Sequence, residues 1–119
     1  MTIAIGPVID ALRLKMKFVE LRAGPPSQDY LEAVLNRGDL PMCCELLVGV
    51  FGPPLKVFGE AAMLESSIES VVASVGGIRT EQCLFLQSIE GARAAYAALW
   101  PWASDPMRVT LKVGIAKLA

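Results

Sequence analysis

Basic and apolar side chains alternate in two segments near opposite ends of the chain, and cations spaced in this way can hold an anion. These segments and the residues just beyond them carry six of the eleven cationic side chains, namely Arg13, Lys15, Lys17, Arg108, Lys112 and Lys117. A period of two is typical of a half-buried strand, so both segments predict strands with a basic outer face.

If these two strands are neighbours, their cations form one basic patch that binds an anionic ligand or an acidic partner surface. The candidate ligand-binding residues on this patch are Arg13, Lys15, Arg108 and Lys112. The alternative interpretation is an ordinary charged sheet face, which keeps the protein soluble and discourages pairing of exposed strand edges.

Glu45 is a carboxylate within the most apolar stretch of the chain, residues 43–59. The first half of this stretch predicts a buried strand, on which Glu45 shares a face with Leu47 and Phe51. A buried carboxylate needs a partner or has a raised pKa, and such groups cluster at functional sites. Glu45 is therefore the candidate base of a site on the sheet. The alternative is a glutamate that reaches solvent or pairs with a lysine on the next strand.

The other candidates for chemistry are three cysteines and a pair of tryptophans. The chain has no histidine, so no imidazole is present to activate Cys43, Cys44 or Cys83 as a nucleophile. We therefore expect the cysteines to be small core residues, and we predict no metal site and no cofactor. Trp100 and Trp102 flank a proline, and such a pair stacks on a planar ligand or anchors an interface. The alternative is that they cover the open end of the sheet.

Composition limits the class of protein. The 119 residues suffice for a single domain spanning 1–119, and 54% of them are hydrophobic, with a net charge of −1. This apolar excess favours a homo-oligomer or a complex with a partner subunit, because large exposed apolar patches usually mark interfaces. The small net charge argues against nucleic acid, and no apolar run reaches the ~18 residues that cross a membrane. An odd number of cysteines and the lack of an export signal predict a cytoplasmic protein.

The elements that position these residues follow from the apolar periodicity and from the Gly and Pro breaks. Strands are predicted over 12–18, 42–51, 55–58, 83–86 and 107–115, and helices over 27–37, 60–75 and 88–99. Half-buried alternating strands favour an antiparallel sheet with helices on one face. The sequence therefore predicts an α+β fold with a ferredoxin-like antiparallel sheet plus an appended helix and strand.

Four segments in order are similar to part of a known family. They are residues 6–15, residues 31–47 with a Gly-Asp-Leu-Pro turn, residues 46–77 with Gly-Pro-Pro ahead of a helix, and residues 91–115 with a basic final strand. This pattern resembles the C-terminal substrate (cap) domain of FAD-linked oxidases of the glycolate oxidase and D-lactate dehydrogenase type. The resemblance implies a ferredoxin-like fold and a flavin-binding partner subunit, since this sequence contains no flavin-binding domain. The family's metal-site histidines have no counterpart, so the resemblance implies no catalytic residue.

Two functions are open at this point. The first is a non-catalytic α+β association module that pairs with itself or with an oxidoreductase subunit, which the resemblance implies to be flavin-binding. The second is a small anionic-ligand-binding protein or enzyme whose site lies on the basic sheet face. The apolar excess and the missing histidine favour the first function, and the alternating cations favour the second.

Overall fold

The computed structural model describes residues 5–23, 30–56, 58–59, 82–89 and 93–117. The elements in these residues are helix α1 (Ile5–Lys15), strand β1 (Glu20–Ala23), strand β2 (Leu31–Asn36), helix α2 (Leu40–Phe51), strand β3 (Cys83–Ile89), strand β4 (Arg93–Pro101) and strand β5 (Arg108–Lys117). A short 3-10 turn, Arg37–Asp39, joins β2 to α2. Among the helices described, α1 with 11 residues and α2 with 12 are both too short to cross a bilayer.

The strands make one antiparallel sheet in the order β1-β2-β5-β4-β3, so the fold is α+β, as the sequence predicts. The last strand, β5, lies in the middle and pairs with β2 on one side and β4 on the other. Gly114 on β5 leaves room for two tyrosine side chains that pack over it. A Cβ at this position would lie 2.9 Å from the Tyr96 hydroxyl oxygen and 3.0 Å from Tyr30 Cδ1. The finer ferredoxin-like arrangement stays a prediction.

Both helices pack on the same face of the sheet, which we call the helix face. The buried stripe of α1 has the spacing i, i+3, i+4 and i+7 and consists of Ile5, Val8, Ile9 and Leu12. The buried stripe of α2 has the spacing i, i+4 and i+8 and consists of Cys43, Leu47 and Phe51. They share one apolar core with strand residues such as Phe85, Leu99 and Leu111. The rings of Phe51 and Phe85, for example, lie 6.1 Å apart between centroids.

The opposite face, which we call the outer face, holds a second buried cluster. Its members are Leu84, Ala94, Tyr96, Ala98 and Ala116, and neither α1 nor α2 contributes to it. Leu84, Ala94 and Ala98 are fully buried. Strands β3 and β4 therefore have buried residues on both faces of the sheet, which agrees with the continuous apolar sequence of these strands.

Helix α1 replaces the strand predicted over 12–18. Alternation placed Leu12 and Leu14 on one strand face, but Leu12 is 2% exposed and Leu14 is 85% exposed. The residues upstream explain the difference, since Ile5, Val8 and Ile9 complete a helical stripe with Leu12. The free energy gained by burying that stripe against the sheet exceeds the local preference for a strand that the period of two indicates.

The central strand predicted over 42–51 is helix α2. This stretch is apolar almost throughout, so it has no period that distinguishes a strand from a buried helix. The boundaries do distinguish them. Pro41 lies in the first turn, where a missing N–H costs nothing, and Gly52 ends the helix with φ of 81° and donates its N–H to the Val48 carbonyl.

Of the other predicted elements, the strands over 83–86 and 107–115 are confirmed as β3 and β5. The helix predicted over 27–37 is wrong where the structure describes it, because that part is β2. The helix predicted over 88–99 is also wrong, since its described residues belong to β3 and β4. Residues 94–98 are rich in alanine, but pairing with strands on both sides overrides their helix propensity.

In the strand predicted over 55–58, Lys56 forms a bridge to Leu84 of β3. The helix predicted over 60–75 lies outside the described residues.

Candidate functional site

The structure does not assemble the predicted basic patch. Arg13 and Lys15 lie exposed in the last turn of α1, on the helix face of the sheet. Arg108 and Lys112 lie on β5, where they alternate with core residues of the helix face such as Val109 and therefore belong to the outer face. The prediction that these four cations share one face is wrong, because the segment that carries the first two is a helix.

Arg108 and Lys112 have contacts within the chain. The Arg108 guanidinium donates a hydrogen bond to Oδ1 of Asn36 on the neighbouring strand β2. The Lys112 ammonium lies 4.0 Å from the centroid of the Trp100 ring, which is a cation–π contact. These contacts hold both cations against the sheet, and their role as ligand-binding residues stays a prediction.

The two tryptophans at the end of β4 are half-buried and also make contacts within the chain. Trp102 Nε1 donates a hydrogen bond to Oγ1 of Thr110 at 2.7 Å, and its ring centroid lies 5.3 Å from the Arg22 guanidinium carbon. The Trp100 side chain packs against the outer-face cluster, and its Nε1 is buried with no hydrogen-bond partner among the described residues. Both rings therefore contribute to packing of the sheet, and an interface role for Trp100 and Trp102 stays a prediction.

Glu45 lies on the outside of α2 and not in the core. Cys43, Leu47 and Phe51 face the sheet, whereas Glu45 is exposed on the other side of the helix. The prediction that Glu45 shares a face with Leu47 and Phe51 is wrong, because it assumed the period of a strand. Since the carboxylate is in solvent, burial gives it no special role as a base.

The three cysteines are confirmed as residues of the core and its margin. Cys43 and Cys83 are buried, Cys44 is half-buried, and all three are free thiols. Burial, and after it the neighbouring Cys44 thiol, raises the pKa of both Cys43 and Cys83 to about 12. Such thiols are protonated at neutral pH and are weak nucleophiles and weak metal ligands. Within the described segments, no group of cysteine and carboxylate side chains is arranged to hold a metal ion.

Among the described residues, the outward side of α2 is the surface with the clearest functional signal. Of the residues in this helix, only Glu45 is charged. Met42, Glu45 and Gly49 lie at i, i+3 and i+7 and form a stripe along the exposed side. Met42 is 52% exposed, and Val48 and Val50 beside the stripe are 44% and 40% exposed. Because a helix at a protein surface normally has a polar outer side, this apolar one is a candidate interaction surface.

A groove of about 120 Å³ lies between α1 and α2, next to this stripe. Its lining is apolar apart from Lys15, which projects from the last turn of α1. We call the stripe and the groove together the helical surface. Its residues are Val8, Ala11 and Lys15 of α1 and Met42, Glu45, Leu46, Gly49 and Val50 of α2.

Sequence reasoning missed the helical surface because it assigned residues 42–51 to a strand. The available signal was the pair of helix boundaries, Pro41 and Gly52. A helical wheel drawn between them places Met42, Glu45 and Gly49 on one side, opposite the buried residues. The exposed apolar side of the helix follows directly from that wheel.

Comparisons with protein-family models, curated proteins and solved structures find no match to this chain. The resemblance to the cap domain of FAD-linked oxidases therefore stays a prediction, and so does a flavin-binding partner subunit. A functional proposal for this chain depends on its own surfaces.

Proposed function

We propose that this chain is a non-catalytic α+β association module that pairs with a second copy of itself through the helical surface. The observation that carries the proposal is the apolar outer side of α2, where Met42, Val48 and Val50 are exposed beside a single charge. Removing such a side from water contributes roughly 25 cal/mol per Å² of apolar area, against which the cost of association is set. A two-fold pair uses the same patch on both copies, so that patch must be complementary to itself.

The helical surface is complementary to itself in shape. If two copies of α2 cross antiparallel about a two-fold axis near Glu45 and Leu46, then Met42 of one copy faces Gly49 of the other. A Cβ built at Gly49 has no neighbouring heavy atom within 4 Å, so the glycine leaves an open notch at the surface. The flexible Met42 side chain fills this notch, and the missing side chain lets the two helix backbones approach closely.

The same crossing is complementary in charge. It sets Glu45 of one copy beside Leu46 of the other, and Leu46 lines the groove together with Lys15. The Glu45 carboxylate then meets the Lys15 ammonium of the second copy, and the symmetry produces this pair twice. The cation thus compensates the one acidic side chain of α2, so the interface buries no unpaired carboxylate.

Anion binding on the sheet face, the alternative function, has less support. Arg13 and Lys15 of α1 lie on the helix face of the sheet, and Arg108 and Lys112 of β5 lie on the outer face. Two of them, Arg108 and Lys112, also contact Asn36 and Trp100. Association with a different subunit uses the same helical surface and is an outcome of the experiment below.

The matched substitutions Met42→Glu and Met107→Glu test the proposal. The two methionines are 52% and 57% exposed, but Met42 lies on the helical surface and Met107 lies just before β5. A carboxylate at Met42 would be desolvated against the Gly49 notch of the second copy, which costs free energy. We expect Met42→Glu to raise the dissociation constant of the pair at least tenfold, about 1.4 kcal/mol, and Met107→Glu to leave it unchanged.

Sedimentation equilibrium measures the dissociation constants, and circular dichroism confirms that each variant folds. Equal constants for the three proteins would contradict pairing through the helical surface. An unaltered chain that remains monomeric at about 100 μM would contradict self-association. A stoichiometric complex with a different purified subunit, lost in Met42→Glu, would assign the surface to that subunit and not to a second copy.

A further inference from the structure

A second cavity lies at the end of the sheet where β2 and β4 finish. Its volume is about 360 Å³, and its lining residues are Arg37, Leu40, Phe58, Gly59 and Pro101. Arg37 directly follows β2, Leu40 begins α2, and Pro101 is the last residue of β4. None of these residues belongs to the helical surface, so the cavity is a separate feature of the fold.

Most of the cavity wall is apolar. Leu40 and Phe58 are half-buried and pack against the helix-face core. Pro101 adds a rigid apolar surface at the end of β4. Gly59 has φ of 83°, and a Cβ built there would meet no heavy atom within 4 Å, so the wall is open at this residue. Such a wall suits a compact apolar group, either one aromatic ring or one branched aliphatic chain.

Arg37 supplies the charge at the cavity. A hydrogen bond from its backbone N–H to the Met107 carbonyl, at 2.8 Å, fixes its backbone. In the side chain, Nη1 donates a longer hydrogen bond of 3.3 Å to the Pro106 carbonyl. Within the described part of the chain, Arg37 forms no ion pair. The nearby Asp105 accepts the Met107 N–H at 3.0 Å, and Asp39 does not line the cavity. Most of the five guanidinium N–H donors are therefore available to a ligand.

We propose that this cavity binds a small monocarboxylate with an apolar body. The planar guanidinium of Arg37 matches a carboxylate through two parallel hydrogen bonds, and Leu40 and Phe58 cover the apolar body. About 360 Å³ lies near the lower end of the roughly 300–1,000 Å³ typical of ligand pockets, which favours a single ring over a nucleotide. This site does not depend on self-association, so the two proposals fail or succeed separately.

Three probes test the site by protein NMR titration. 3-Phenylpropionate has the charge and the apolar body, 3-phenylpropionamide has the same shape without the charge, and propionate has the charge without the ring. We expect 3-phenylpropionate to bind saturably and to shift the backbone amide signals of Arg37, Leu40 and Gly59. The other two probes are expected to bind at least tenfold more weakly, because each lacks one of the two interactions.

The matched substitutions Arg37→Met and Arg93→Met distinguish specific binding in the cavity from non-specific attraction of the carboxylate to a positive charge. Arg93 is exposed at the end of β4 opposite to Pro101, so both changes remove the same charge but only one removes it from the cavity. Arg37→Met is expected to raise the dissociation constant for 3-phenylpropionate at least tenfold, and Arg93→Met to leave it unchanged. Leu40→Trp, which fills the cavity and keeps the charge, is expected to block binding. The proposal is overturned if 3-phenylpropionate does not saturate, if the neutral amide binds equally well, or if Arg37→Met binds like the unaltered protein.

Discussion

Glu45 and Lys15 are the charged side chains of the helical surface, so they test the proposed pairing at the scale of single residues. A carboxylate in an apolar interface costs free energy unless a cation compensates for its lost hydration. In the proposed crossing the compensating cation belongs to the second copy. The coupling between these two residues should therefore exist in the pair and be absent from the monomer.

Reversing one charge is expected to weaken association, and reversing both is expected to restore it. Glu45→Lys sets two cations together across the interface and Lys15→Glu sets two carboxylates together, so each should cost roughly 1 kcal/mol of association. In the double variant the ion pair re-forms in the opposite sense. Arg13→Glu is the control, since Arg13 is exposed in the same turn of α1 but does not line the groove. Sedimentation equilibrium measures the association free energy of each variant. If the losses of the two single variants simply add in the double variant, the result would contradict a Glu45–Lys15 pair.

The buried thiols of Cys43 and Cys83 make the stability of the fold sensitive to alkaline pH. Each thiol has a pKa of about 12 in the folded chain against an ordinary value of 9.0. Between these values the folded state retains protons that the unfolded state has lost. The contribution of the thiols to the free energy of unfolding is therefore complete below pH 9 and falls above it, by up to about 1.4 kcal/mol per pH unit for each thiol.

Urea unfolding at about pH 8 and about pH 10.5 measures this fall, with a Cys43→Ala/Cys83→Ala variant as the reference. The variant is expected to lose less stability between the two pH values than the unaltered chain. Burial also raises the pKa of Tyr30 and of Tyr96, and these groups contribute equally in both proteins. The same pH dependence in the variant and the unaltered chain would show that the thiols do not contribute.

At the scale of elements, the local sequence pattern explains which segments could be predicted. Strand β5 alternates core residues such as Val109 and Leu111 with polar ones, so its period of two is visible in the sequence. Helix α2 is apolar on nearly every side, so its period is hidden. Strand β4 is rich in alanine, and the β3 and β5 pairing that holds it is not encoded locally.

The assignment of α1 as a helix has a direct test in two matched leucines. Leu12 is 2% exposed and Leu14 is 85% exposed, whereas a strand would place both on one face. Leu12→Ala is expected to lower the free energy of unfolding by about 2–5 kcal/mol, because it empties part of the core. Leu14→Ala is expected to change it by no more than about 0.5 kcal/mol. Urea unfolding gives both values, and losses of similar size would favour the strand.

The candidate site shows the same division between local and non-local information. From the sequence, Glu45 and the basic residues of 12–18 could be identified as charged side chains in apolar surroundings. Which of them lie together could not be predicted, because it depends on whether each segment is a helix or a strand. Once α1 and α2 are helices, Lys15 and Leu46 line one groove and Glu45 lies beside it on the exposed side of α2.

At the scale of the whole molecule, the α+β class and the antiparallel sheet could be predicted from the sequence, although the segments of both described helices, α1 and α2, were predicted as strands. The strand order could not, since β5 enters the centre of the sheet by pairing with β2 far back in the chain. Helix α2 packs on the helix face of this sheet and has an apolar exposed side. The proposed self-association accounts for that side as an interface.

The mass of the unaltered chain in solution tests this central claim most directly. Sedimentation equilibrium over about 1–100 μM covers dissociation constants of the strength expected for a weak to moderate two-fold pair. Self-association through the helical surface requires the mass to rise with concentration from the chain mass of 12.7 kDa toward twice that value. A mass that stays at 12.7 kDa over the whole range would contradict it.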